Sequence, residues 1–408
     1  MTAFNPLSPA VVADPYPVYQ DLRASDPVHW GVSGDANWPG TWYLFAHDDV
    51  VPALKDVRLG REVEALLPEA RRPKRDPKFQ ALQEMLGEWM LLRDPPHHTH
   101  LRSPVIRAFT PRVVNKIVPR VRLLAAELVA RHLEHGEMDL IEDFARVLPV
   151  MIIAEMLGVP SQDHATFSPH AVTLAAAIEF EQTDAMRERG LQALAALKDY
   201  LDGLFAQRRH DPQDDLVSAL LRANEDQALS DMELYGDITQ LLVGGNDPTM
   251  HLIGNAMLAL LVQPDKLNEL RANPALIDNA VDELLRYDSS VQMTFRYALQ
   301  DVSIHGQPIQ AGDHIALVFG SALRDEAYCD APDEVRFERT NNWLPFGGGI
   351  HFCPGNMLAR VIGQESLRVL CGLPNLKLAV DPSTLRWQNT VAVRGLRALP
   401  VRFEGSKV

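Results

Sequence analysis

A mainly α-helical protein with a small β portion, forming one compact unit across residues 1–408, is what the sequence predicts. Three observations carry that expectation. Apolar residues recur at a helical period through most of the chain, β-rich segments are few and clustered, and no Gly/Ser linker, low-complexity block or repeat divides it before Pro400.

In chain order, residues 41–46 are the first β-rich stretch. Asp94, followed by Pro95 and Pro96, opens a helix with an acidic cap and proline in the first turn. Across 121–133, Val121, Leu124, Ala125, Leu128 and Val129 make the i, i+3, i+4, i+7, i+8 stripe of an amphipathic helix. Residues 147–159 are the most apolar stretch. They carry Glu155 and fall short of the roughly 20 residues a bilayer span takes, so they predict a buried helix. Further stripes cover 171–178, 191–205, 232–261 and 277–287. Residues 302–304, a turn at His305-Gly306 and 314–319 predict a hairpin and its continuation, and 390–393 with 400–403 a terminal pair.

The stripe over 232–261 is interrupted by Gly244, Gly245 and Pro248. Each glycine costs up to about 1 kcal/mol relative to alanine and an interior proline about 3. Pro248 offers no N–H to the carbonyl of Gly244, so a kink and an unsatisfied acceptor are expected there.

With 39 basic and 54 acidic side chains the formal charge is −15, which argues against a nucleic-acid binder. A 46% hydrophobic and 23% charged composition is that of an ordinary globular protein. No Lys or Arg precedes Arg23 and prolines break any early apolar run, so neither an export signal nor a membrane span is expected and a cytoplasmic location is. Three cysteines, Cys329, Cys353 and Cys371, are too few for a disulfide framework. Cys329 and Cys371 predict only packing.

Residues 345–355 hold four glycines and two prolines, a composition that excludes helix and strand and lets the backbone approach something flat and bulky. A helix starts near Asn356, which leaves Cys353 just before an N-terminus that favours a thiolate. Such a thiolate suits a nucleophile or a metal ligand. Zinc would need further Cys or His at short spacing, and neither C-x-x-C nor H-E-x-x-H occurs. One protein thiolate suffices where a macrocycle supplies the other ligands, which points to haem.

The run Phe346-x-x-Gly349-x-His351-x-Cys353-x-Gly355 resembles the haem-binding signature of the cytochrome P450 family. The resemblance extends over about residues 14–403 and implies a single-domain cytochrome P450 fold, haem b as cofactor, Cys353 as the iron ligand, and Phe346, Gly349 and Gly355 as the loop that cradles it. Glu283 and Arg286 are similar to the family's Glu-x-x-Arg pair, and Arg339 to the arginine that completes its structural triad. The segment from Asp94 to Arg102 resembles the family's Asp-Pro-Pro-x-His-Thr-x-x-Arg helix, which implies propionate contacts from His98, Arg102, Arg296 and His351. Three histidines there, His97, His98 and His100, do not predict a metal site, because no carboxylate follows at ligand spacing.

Gly244, Gly245 and Asp247 match the family's oxygen-binding groove, whose acid relays protons and whose threonine hydroxyl takes part in oxygen activation. Pro248 stands in the threonine's place. Thr249, one residue on, is rotated by about 100° around a helix of 3.6 residues per turn. The hydroxyl is therefore supplied by Thr249 re-aimed by a kink, by substrate or ordered water, or not at all, in which case the enzyme uses peroxide or performs a coupling, dehydration or rearrangement. Peroxide-using fatty-acid members have an arginine before this proline, where Asp247 would repel a carboxylate.

The resemblance implies monooxygenation of a mostly apolar molecule, with electrons from a ferredoxin and its reductase, in secondary metabolism. A haem-thiolate protein that binds a ligand without oxidising it is the alternative class. The expected pocket draws on the segment before Asp94, on Phe180 and its surroundings, and on Val243, Gly244, Asp247, Val291, Gln292, Met293, Thr294, Thr390 and Val391. Arg107, Arg112, Lys116 and Arg360 are the expected basic contacts for an acidic ferredoxin. The run Arg71-Arg72-Pro73-Lys74-Arg75 predicts a solvated loop.

Overall fold

The computed structural model describes residues 4–33, 38–69, 72, 76–178, 183–224, 229–339 and 344–405. The helices that frame the site are α1 (His97–Ala108), α2 (Pro111–Ala130), α3 (Val147–Leu157), α4 (His164–Ala176), α5 (Asp184–His210), α6 (Asp231–Leu261), α7 (Ile277–Tyr287) and α8 (Asn356–Cys371). One apolar core runs through all eight. Each starts or stops where local chemistry dictates. Thr110 accepts the Val113 amide at the head of α2, Ser230 and Glu233 form a reciprocal capping box at the head of α6, and Gly158 at φ +84° ends α3.

Helix α3 is buried on nearly every side, as its unbroken apolar run requires, and Glu155 reaches out to a bidentate pair with Arg120 at 2.7–2.9 Å. Helix α6 packs against both α3 and α8. It is helical throughout, Gly244, Gly245 and Pro248 included. Packing outweighs the propensity cost: a Cβ on Gly245 would collide with Ile153 of α3, so that glycine is what lets the two helices meet.

A five-stranded sheet has the order β1 (Val28–Gly31), β2 (Thr41–Leu44), then the strands His314–Leu317, Thr294–Ala298 and Leu59–Gly60. His314–Leu317 is buried at all four positions and lies between β2, in parallel, and Thr294–Ala298, antiparallel. The expected hairpin partner of 302–304 is instead Gln307–Ile309, across a turn in which His305 and Gly306 take φ +51° and +78°. The terminal pair is also corrected. Pro400–Arg402 pairs with Glu137–Asp139 and Lys377–Leu378, while Val393 makes one bridge to Val291. Short apolar runs fit several strand partners equally well, and only packing selects among them.

Glu283 and Arg286 of α7 are wholly buried and bidentate at 2.8 and 2.9 Å. The same guanidinium donates to the carbonyls of Leu323, Pro332 and Glu334. Arg339 joins at 3.2 Å from Glu283. Four contacts, to three carbonyls and to Arg339, thus tie α7 to the segment that leads into the glycine loop.

Candidate active site

The loop 345–355 holds its shape through backbone geometry. Cys353 donates its amide to the Phe346 carbonyl at 2.9 Å, Gly347 and Gly349 sit at φ +75° and +63°, and a Cβ on Gly349 would strike the Leu54 carbonyl. The Arg360 guanidinium covers the Phe346 ring at 4.3 Å. Gly355 caps α8, and the nearest atom to a Cβ there would be Cys353 Sγ at 3.9 Å.

Cys353 lines a cavity of about 560 Å³ whose wall also includes Gly244, Gly245, Pro248 and Thr249 of α6. Apolar side chains make most of its wall, among them Trp89, Met90, Leu241, Val291 and Phe319. Burial pushes the Cys353 thiol above its ordinary value, against the pull of the Gly355 amide and of Arg102 and Arg360. The helix terminus does not offset that burial, and a metal ion bound at Cys353 would supply the missing stabilisation, because coordination deprotonates a thiol.

One rim of the cavity is cationic. Arg61, Arg102, Arg296 and His351 line it, and His98 lies behind with its ring 4.6 Å from that of His351. His98 is 2% exposed and neither ring nitrogen has a partner. Burial, followed by neighbouring cations, lowers His98, pushes His351 down to about 2 and holds Arg61 well below its ordinary value; burial brings Arg296 to about 10. Among the described residues no carboxylate lines the cavity. Unpaired buried cations are costly, so the cluster fits a ligand bearing two carboxylates beside a flat body that meets Cys353. Haem b, with its two propionates, is such a ligand.

Arg61 was not legible in the sequence. It sits just beyond Leu59–Gly60 and donates to Thr294 Oγ1 at 2.8 Å, and no motif marks it. Asp94, expected as a cap, instead accepts the amides of Arg61 and Glu62 through its carboxylate and so fixes Arg61 at the rim.

Of the expected pocket residues, Gly244, Val291, Met293 and Thr294 line the cavity, as do Trp89, Met90, Leu91 and Leu92 of the segment before Asp94. Val243 does not; it packs against the helical core. Gln292 turns away to the Ser289 carbonyl at 2.8 Å, Thr390 bonds the Val393 carbonyl, and Val391 is buried in a separate apolar cluster. Ala392 and Val393 take their places. Asp247 is outside the cavity wall and faces His251 Nε2 at 3.4 Å, one helical turn on. Phe180 lies outside the described residues, as do Arg71, Pro73, Lys74 and Arg75 of the basic run; Arg72 donates to the Leu67 carbonyl.

A thiol in a cavity walled in part by a helix, with a cationic rim built for two carboxylates, defines a haem-thiolate protein. The family model for cytochrome P450 matches residues 63–364. The polyketide biosynthesis cytochrome P450 PksS of Bacillus subtilis is 34% identical over 98% of both chains. The vitamin D(3) 25-hydroxylase of Pseudonocardia autotrophica is 36% identical over 95% of this chain and 93% of its own. The crystal structure of P450BioI in complex with a hexadec-9Z-enoic acid ligated acyl carrier protein superposes with a TM-score of 0.86 at 33% identity, covering 97% and 99%. The chain belongs to the cytochrome P450 family, and it is an oxidoreductase with haem b as its cofactor. Among the described residues no helix is long and apolar enough to cross a membrane.

Proposed function

We propose that the protein inserts one oxygen atom from dioxygen into a C–H or C=C bond of a mostly apolar small molecule, with electrons from a ferredoxin and its reductase. The observation that carries this is the cavity itself, which sets an apolar volume of about 560 Å³ against Cys353. When bound, haem supplies the one-electron and oxygen chemistry that no side chain can, and a thiolate ligand favours O–O cleavage. Trp89, Met90, Leu241 and Val291 take the substrate out of water, and Arg61, Arg102, Arg296 and His351, with His98 behind them, would hold the two carboxylates. Reaction of a compound that shifts the haem spin state, under isotope-labelled dioxygen with a ferredoxin system, should give a product carrying one labelled atom. An unlabelled product would point to peroxide, coupling, dehydration or rearrangement chemistry, and no product with either oxidant to ligand binding alone.

Proton delivery runs through substrate or ordered water. Pro248 removes the hydroxyl and gives the Gly244 carbonyl no amide to accept, while Gly244 has open space where a Cβ would stand. A water can donate one hydrogen to that carbonyl and present its other to the cavity, whereas a substrate hydroxyl would present its single hydrogen directly. A second reading is favoured by the position of Thr249 in the cavity wall, where its own hydroxyl would serve. Thr249→Val decides between them. Under the water-assisted route, product formed per electron stays within about 2-fold of wild type; loss of a general acid would cost roughly 10²-fold with dioxygen and spare peroxide-driven turnover.

For electron transfer, Arg107 donates to the Ala223 carbonyl, Lys116 pairs with Asp214 and Arg360 with Asp282, which leaves Arg112 as the exposed cation most open to a partner. Arg112→Glu is expected to slow ferredoxin-driven turnover by roughly 3- to 10-fold at low salt, with the loss shrinking as salt rises, and to leave peroxide-driven turnover unchanged. Equal loss in both assays would remove Arg112 from the docking face.

A further inference from the structure

The histidines at the head of α1 lack a carboxylate at local ligand spacing, yet the fold brings two from elsewhere. Glu88 caps the helix Gln80–Gly87, and Glu233 lies in the first turn of α6. Gly236 makes the meeting possible, since a Cβ there would stand 2.6 Å from Glu88 Cβ and 2.7 Å from its carbonyl oxygen. His97 Nε2 is 3.4 Å from Glu88 Oε2 and 3.4 Å from Glu233 Oε1, and the three ligand atoms lie within 4.8 Å of one another. His100 Nε2 approaches the same Glu233 Oε1 at 3.4 Å.

These spacings are long for charge-assisted hydrogen bonds, which close to about 2.7–2.9 Å. They match the edges of a coordination polyhedron: four ligands about 2.1 Å from a tetrahedral ion are about 3.4 Å apart. Glu88 Oε2 is buried and has no hydrogen-bond partner. Glu233 divides its work, with Oε2 closing the capping box on Ser230 and Oε1 turned to the histidines. Asp237, one turn further along α6, is 0% exposed, and neither of its carboxyl oxygens has a partner. An unpartnered carboxyl buried beside two glutamates is a cost that a bound cation relieves.

We propose that Glu88, His97 and Glu233 bind a divalent zinc ion, with a water completing the tetrahedron. Imidazole nitrogen and carboxylate oxygen in a tetrahedral arrangement suit zinc, and two carboxylates neutralise its charge. The ion would join the end of the helix Gln80–Gly87 to α1 and α6 through side chains that do not line the cavity. Trp89, Met90, Leu91 and Leu92, directly after Glu88, line the substrate cavity, so zinc would tie that wall to α1 and α6.

The test uses tag-free holoenzyme, dialysed against buffered micromolar zinc and then assayed for metal by mass spectrometry alongside its haem content. About one zinc per chain is expected in wild type and in the surface control His135→Ala. His97→Ala and Glu88→Gln should each weaken zinc binding by more than about 10-fold, since even outer-shell changes cost 10- to 100-fold. The carbon monoxide spectrum reports that each variant is folded and loaded; if His97→Ala is not, Glu88→Gln carries the comparison. Wild type retaining less than a tenth of an equivalent, or either folded variant binding as wild type does, overturns the site.

Discussion

Cys353→Ala is expected to abolish turnover with either dioxygen or peroxide and to remove the absorbance band of the reduced, carbon monoxide-bound protein that thiolate ligation produces. The expectation rests on position. Among the described residues Cys353 is the cysteine that lines the cavity. Cys329 accepts from Arg339 Nη1 at 3.0 Å, well away from it, and Cys371, whose thiol burial pushes up to about 12, ends α8. Neither can substitute. Haem affinity should fall less than activity does, because the cationic rim is untouched and continues to hold two carboxylates. A variant that kept the band unchanged would show that another group ligates the iron.

Glu283→Gln is expected to be the most damaging substitution away from the cavity. Arg286 is 1% exposed, and removing its carboxylate leaves a buried, uncompensated charge at a cost of about 3–5 kcal/mol. Set against a total stability of about 5–15 kcal/mol, that loss is a large fraction of the margin. The thermal midpoint and the yield of haem-loaded protein should fall together, because the Glu283 carboxylate also accepts the Arg336 amide at 2.9 Å on the way to the cysteine loop. Replacing both Glu283 and Arg286 by methionine should not rescue the protein. The Leu323, Pro332 and Glu334 carbonyls would lose the donors that Arg286 provides. A double variant as stable as wild type would show that the charge pair, and not the backbone contacts, is what matters.

Local signals carried far. The helical stripe over 277–287 coincides with Ile277–Tyr287, and the glycine-rich run that holds Cys353 stands where a cavity opens. Elsewhere the signal pointed to the right segment and the wrong residue. Residues 390–393 do border the cavity, but Ala392 and Val393 face it while Thr390 and Val391 turn away. A segment without helix or strand has no period from which to read which side chain points where. Pro248 marks the reverse case. The propensity cost is real, yet contacts with α3 and α8 keep α6 helical across it.

The sequence by itself determined the helical class, the cysteine loop, the acid–arginine pair and the family resemblance, because periodicity and short motifs are written in neighbouring residues. Only the tertiary structure decided that Arg61 joins the cationic rim, that Asp247 leaves the cavity for His251, and that Glu88, His97 and Glu233 converge. Each of these depends on side chains that packing either brings together from distant elements or turns along one helix. Where such groups meet is set by how whole elements pack, and residue type and local spacing carry no record of that.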